Sequence, residues 1–191
     1  VLVFLAVAAA PLWNVNRARA QGGIVLENVG ATYVFGEQIT FLAAIKASVP
    51  IQSATILIID EGQGLTHVQP LTILADGGTQ AVFDVRRYSL LPFSMVRWRY
   101  EFSLADGSAF QSETYSMRYD DNRFTWQRLE SNGLRVFWYQ GDAAFAQGAL
   151  NTALAGVRAI DEMFPVDLDP PVDLFVYPSQ NDLSFPGIEP W

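Results

Sequence analysis

The sequence predicts a mainly β protein that ends in a smaller α/β part, and three observations predict it. Half of the 191 residues are apolar and 13% are aromatic, a composition that suits sheets and filled cores rather than a solvated tail. Between residues 24 and 119, short β-type runs alternate with turn residues. From residue 134 the period changes: an apolar run, a stripe at helical spacing and a second apolar run follow one another.

Residues 1–13, VLVFLAVAAAPLW, are apolar but shorter than the roughly 20 residues of an ordinary membrane span. They lead through Asn14, Asn16 and Arg17 to Ala18-Arg19-Ala20, the A-x-A pattern of a signal-peptide cleavage site, which puts cleavage before Gln21. The charged start of such a signal and an initiator Met are not in the sequence, so residues 1–20 read as a partial signal peptide. An uncleaved anchor or a buried strand is the alternative. The signal reading places the protein outside the cytoplasm, secreted or at the cell surface.

The β-type runs cover residues 24–35, 38–47, 53–60, 67–73, 79–86, 95–104 and 109–119. Seven strands in this length is the count of an immunoglobulin-like or fibronectin-type β-sandwich, expected over residues 21–119. Gly36-Glu37, Pro50, Gly62 to Gly64, Asp76-Gly77-Gly78 and Pro92 fall between runs, where they bend the chain without removing ladder bonds. Asp106-Gly107 predicts a two-residue type I′ turn, because Asp and Gly tolerate positive φ. Pairing outward from that turn sets Trp98 opposite Tyr115, Val96 opposite Met117, Arg99 opposite Thr114 and Arg97 opposite Ser116. The period of two then sends Val96, Trp98, Tyr100 and Phe102 into the core and the arginines into solvent.

Residues 120–133 read as a linker. Asp120-Asp121-Asn122 does not suit a buried ladder, Phe124 and Trp126 can pack at a joint, and the spaced ligands and Gly of a calcium loop are absent.

Ser131-Asn132-Gly133 is a turn, and the run from Leu134 to Tyr139 is apolar on both faces except for Arg135, as in a strand covered on two sides. Asp142 is a good helix N-cap. After it Phe145, Leu150, Ala153, Leu154, Val157, Ile160 and Phe164 make one stripe of a helix of about six turns. Gly148 and Gly156 with Ala144, Thr152 and Ala155 leave a shallow flank that another element could approach. Pro170-Pro171 holds an extended connector, and the run from Val172 to Tyr177 is a second strand, expected parallel to the first as its neighbour or one place away. Residues 179–191, with Pro186 and Pro190, are expected to pack poorly.

The linker, the run LRVFWYQGD, the amphipathic helix and the run PVDLFVYPSQNDL together resemble the start of the peptidase-MA-like domain of secreted bacterial zinc metallohydrolases of the gluzincin kind. The resemblance covers residues 124–183 and rests on the W-Y-x-G-D and V-Y-P-S-x-x-D-L patterns. It implies that residues 134–191 are the incomplete β-α-β start of a zincin-like domain, the sequence ending before the H-E-x-x-H helix that binds zinc in that family. The implied activity of the full-length protein is zinc-dependent hydrolysis of a polypeptide substrate, with any membrane anchor lying outside these residues. The fragment itself is expected to bind no zinc and to be inactive.

The remaining chemistry is sparse. Net charge is −8 and removal of the leader with Arg17 and Arg19 makes it more negative, so the chain lacks the electrostatic footprint of a nucleic-acid binder. There is no Cys, hence no disulfide, thiol nucleophile or thiolate metal site. His67 is the single histidine and reads as a surface or turn residue, since one imidazole makes neither a triad nor a zinc site. Lys46, the single lysine, alternates with apolar neighbours like an outward strand residue. No phosphate-binding glycine loop is present. No residue is therefore assigned a catalytic, cofactor-binding or metal-binding role. The rival to the enzyme reading is a non-enzymatic secreted binding or adhesion module with an unrelated α/β domain.

Overall fold

The structure is a computed structural model that describes residues 23–165 and 167–184; the leader expected at residues 1–20 lies outside them. The fold is mainly β, with three sheets, and divides into two compact units between Tyr119 and Asp120.

The first unit contains β1 (Ile24–Val34), β2 (Gln38–Ala47), β3 (Ile51–Asp60), β4 (Leu65–Pro70), β5 (Thr72–Ile73) and β6 (Gly78–Asp84). These are followed by the short helix α1 (Val85–Tyr88), then β7 (Met95–Leu104), β8 (Ala109–Gln111) and β9 (Tyr115–Arg118). One sheet runs β1-β2-β6-β5; the other runs β4-β3-β7-β8, with β9 also pairing β7. Alternation explains why the sheets share a core. On β2, Ile39, Phe41 and Ala43 are buried, and on β7 so are Val96, Trp98, Tyr100 and Phe102. Phe41 meets Trp98 at 5.1 Å between ring centroids, and the Tyr100 hydroxyl donates to the Leu42 carbonyl at 3.2 Å. Two sheets joined through such contacts are the arrangement of a β-sandwich. Arg97 and Arg99 point outward as expected, toward Glu61 at 2.8 Å and Glu101 at 3.2 Å, and Lys46 reaches Glu27 at 2.8 Å.

Three details differ from the sequence expectation. The run 67–73 is not one strand: β4 pairs β3, the chain then changes sheet at Pro70-Leu71, and β5 pairs β6. Buried Leu71 anchors the crossing, and its amide donates to Ala54 at 3.0 Å. The run 79–86 stops at Asp84, whose carboxylate accepts from the Arg86 amide at 3.0 Å and starts α1.

The third concerns the hairpin. Asp106-Gly107 is not a type I′ turn; only Gly107 has positive φ, +82°, and Leu104 and Ser108 close a three-residue loop around it. That loop shifts the register by one, so Phe102 faces Phe110 and Ser103 faces Ala109. A second irregularity reverses the shift. The Ser112 hydroxyl, in place of its carbonyl, accepts the Tyr100 amide at 2.9 Å, and the strand bulges over Glu113-Thr114 before β9. Beyond the bulge Trp98 faces Tyr115, Arg97 faces Ser116 and Val96 faces Met117 as expected, while the Arg99–Thr114 pair is lost.

The second unit contains β10 (Gln127–Ser131), β11 (Leu134–Trp138), α2 (Ala143–Asp161), β12 (Val172–Val176) and α3 (Gln180–Ser184). The stretch 120–133 is thus not a plain linker. Its second half is β10, antiparallel to β11 across Asn132-Gly133, where φ is +49° and +76°. Positive φ at both positions is the type I′ geometry, and a Cβ on Gly133 would come within 2.7 Å of the Leu168 Cβ. β11 and β12 are parallel neighbours, Leu134 facing Val172 and Trp138 facing Val176.

Asp142 caps α2, its carboxylate accepting from the Phe145 amide at 2.9 Å. Ala146 and Leu150 are buried against Leu134, Val136 and Trp138, with Ala153, Leu154 and Val157 partly covered. The expected stripe is buried only in its middle: Phe145 is 44% exposed, Ile160 50% and Phe164 68%. Val172 and Leu174, which share the helix-facing side of the sheet, are also exposed. Within the stretch expected to pack poorly, residues 180–184 form the helix α3.

A Cβ at Gly148 or Gly156 would meet nothing within 4 Å. Gly148→Ala and Gly156→Ala are each expected to stabilise the second unit by up to about 1 kcal/mol, because alanine restricts the unfolded chain and favours helix. Urea titration followed by far-UV circular dichroism checks this, and destabilisation by either change would show that its flank is occupied.

Candidate functional site

Chemistry-bearing side chains of the second unit converge where β11 and β12 end. Tyr139 directly follows β11 and Tyr177 directly follows β12, so the parallel pairing sets the two phenols side by side, 6.1 Å between ring centroids. Asp121, Arg123 and Trp126 come from the segment before β10, and Ser179 and Asp182 from α3 and the turn that starts it.

Asp121 is fully buried. Its carboxylate receives Arg123 Nε at 2.9 Å and Nη2 at 2.7 Å, and the Tyr177 hydroxyl donates to Oδ2 at 2.9 Å. Its carbonyl accepts from Trp126 Nε1 at 2.8 Å. This bidentate pair is how a carboxylate can be buried: the guanidinium neutralises it and further donors fill its lone pairs. Asp182 is the second acidic centre. Its carboxylate accepts from the Tyr139 hydroxyl at 2.8 Å and from Ser179 at 2.6 Å, while its carbonyl accepts from Arg123 Nη2 at 2.9 Å. The Asp182 amide donates back to Ser179 Oγ at 3.2 Å, so Ser179 and Asp182 cap α3 reciprocally.

Aromatic rings fill the space around these groups. Phe124 lies flat on Tyr139 at 3.8 Å, and the Arg123 guanidinium carbon sits 4.8 Å from the centre of the Phe124 ring. Trp126 stands nearly perpendicular to Phe124, Tyr139, Tyr177 and Phe175. One row further along the sheet, Phe137 stacks on Phe175 at 4.6 Å, and beyond it Arg135 pairs with Asp173.

Protonation follows from these contacts. Burial, then the hydrogen bond to Asp182, pushes the Tyr139 hydroxyl up to about 12. Burial and Asp121 raise Tyr177 as well. Asp121 raises the Arg123 guanidinium, and the hydroxyls of Ser179 and Tyr139 hold the Asp182 carboxyl below its ordinary value of 3.8. Both phenols are therefore donors near neutral pH, and Arg123 and Asp182 are charged. A general acid or base works with a pKa near the operating pH. These shifts run the other way, and the bonds join three chain segments: that before β10, the strand ends and α3.

His67 is a half-buried strand residue and not a turn residue. It lies in β4 with its ring 5.0 Å from Phe83 and 4.9 Å from Tyr88, and its Nε2 is buried. Among the described residues no three His, Cys, Asp or Glu side chains come together to hold a metal ion. A shallow groove in the first unit, lined by Ala47, Ser48, Val49, Pro50, Ile51 and Ile73, offers no ionisable group. Among the described residues no helix is long and apolar enough to cross a membrane.

Sequence reasoning assigned none of the clustered residues a role, although signals for some were visible. The S-x-x-D spacing of Ser179 and Asp182 is a capping pattern, and tyrosines directly after two apolar strands mark equivalent ends of a parallel pair. Compared with protein-family models and with curated proteins, the chain matches none.

Proposed function

We propose that the chain is the N-terminal part of an extracytoplasmic zinc metallopeptidase of the gluzincin kind. In this reading an immunoglobulin-like sandwich follows a signal peptide, and the second unit opens a zincin-like α/β domain. The observation that supports it most is the succession of hairpin, capped helix and parallel strand in the second unit, carrying the W-Y-x-G-D and V-Y-P-S-x-x-D-L patterns. Exposed Val172, Leu174, Ile160 and Phe164 suit a domain in which further secondary structure packs beside α2 and β12.

The described residues do not fit a zinc site, so the ligands in this reading belong to residues outside them, as does any membrane anchor. Zinc would activate water for hydrolysis of a polypeptide, and no catalytic step is assigned to the residues described. The second unit acts here as scaffold.

The full-length gene product is expected to encode H-E-x-x-H with a downstream Glu, to carry stoichiometric zinc and to cleave polypeptides in a chelator-sensitive way. The 191-residue chain alone is expected to be inactive. A coding sequence without that motif overturns the reading and leaves a non-enzymatic binding or adhesion module.

A further inference from the structure

We propose that residues 178–184 form a latch that opens without unfolding the second unit, and that Asp182 is its catch. The argument begins with what holds α3 in place. None of its residues is fully buried and only Leu183 offers a half-buried apolar side chain, so little apolar area secures it among the described residues. Among the described residues its bonds to the rest of the unit run through Asp182: the Tyr139 hydroxyl donates to the carboxylate at 2.8 Å and Arg123 Nη2 to the carbonyl at 2.9 Å. The other bonds of the segment, Ser179 with Asp182 and Gln180 with Ser184, are internal to it.

The ground beneath the latch is held differently. Asp121 keeps Arg123 and Tyr177 in place, and Phe124 and Trp126 pack on Tyr139, whether or not α3 is docked. Segments with few buried apolar contacts open at low free energy while the core stays closed. Opening would release the Tyr139 hydroxyl from Asp182 at the carboxyl ends of β11 and β12, while Arg123 stays on Asp121. Asp182 thus occupies, as an internal carboxylate, the place where the Tyr139 hydroxyl offers its proton. The latch does not depend on the peptidase reading.

Acid acts on the catch with a defined sign. The groups facing the Asp182 carboxylate are Tyr139, Ser179 and Arg123, with Asp121 and Tyr177 behind them. A carboxyl lowered in the folded state contributes its stabilisation above its ordinary value of 3.8 and loses it as pH falls further through the lower folded value.

Hydrogen exchange read by mass spectrometry on the whole 191-residue chain tests the latch. In Tyr139→Phe, amides of 181–184 are expected to exchange on the order of tenfold faster, the effect of losing one hydrogen bond, and in Asp182→Ala, which also loses the bond from Ser179, at least as fast. Amides of β11 and α2 should keep their protection. After correction for intrinsic rates, acidification below 3.8 is expected to accelerate 181–184 in the native chain and to add nothing in Asp182→Ala. Unchanged exchange in both variants, or exchange in 181–184 that rises only together with β11 and α2, overturns the proposal.

Discussion

Asp121→Ala is expected to destabilise the second unit by about 3 kcal/mol, the lower end of the cost of breaking a buried ion pair. The carboxylate is fully buried, whereas the Arg123 side chain remains 23% exposed and can regain some water, which is why the lower end applies. Loss of the carboxylate also strands the Tyr177 hydroxyl, a donor that Asp121 alone accepts among the bonds described. Protection of β11 and α2 amides in hydrogen exchange should fall by the corresponding factor of about a hundred, taking 1.4 kcal/mol per tenfold. Asp121→Asn keeps one acceptor and is expected to lose less. Full protection in Asp121→Ala would mean that the cluster contributes no net stability.

Tyr119→Ala is expected to cost the first unit about 4 kcal/mol, within the range for truncating a buried aromatic side chain. Tyr119 is 1% exposed, stacks on Phe35 at 5.0 Å and meets Tyr33 at 5.2 Å. Its hydroxyl accepts from the Gly36 amide at 2.7 Å, which ties the end of the unit to the turn between its first two strands. Tyr119→Phe keeps the ring and is expected to lose only about 1 kcal/mol. Denaturant melts of the two variants give the comparison, and equal losses would assign the whole effect to the hydroxyl.

The strands of the first unit were legible because each depends on its own alternation. The apolar positions of β2 and β7 name their inward faces directly, and both strands occupy the residues expected. What periodicity could not show was which sheet a strand joins, since that is a matter of tertiary pairing: the change of sheet at Pro70-Leu71 leaves the β-pattern unbroken. The hairpin illustrates a different limit. Asp106-Gly107 and Asn132-Gly133 are both two-residue turn signals, yet only the second adopts the type I′ form, and the bulge at Ser112 restores the register that the first displaces.

The cluster at the strand ends was harder to read than either. Asp120-Asp121-Asn122 suggests solvent by composition, and only the arrival of Arg123 and Tyr177 permits Asp121 to be buried. One half of that pairing comes from more than fifty residues away, beyond the reach of any local pattern. The helix cap at Asp142 was legible because its donors lie three residues along the chain.

The tight turn at Asn132-Gly133 also bears on the order in which the second unit assembles. Ser131 pairs with Leu134 across two residues, whereas Leu134 pairs with Val172 only after the whole of α2 and its connector have been traversed. Loop-closure entropy grows with the length enclosed, so the β10–β11 hairpin can form as a local nucleus while the parallel pair waits for the helix. Substitutions in that turn should therefore slow folding, whereas substitutions in β12 chiefly speed unfolding.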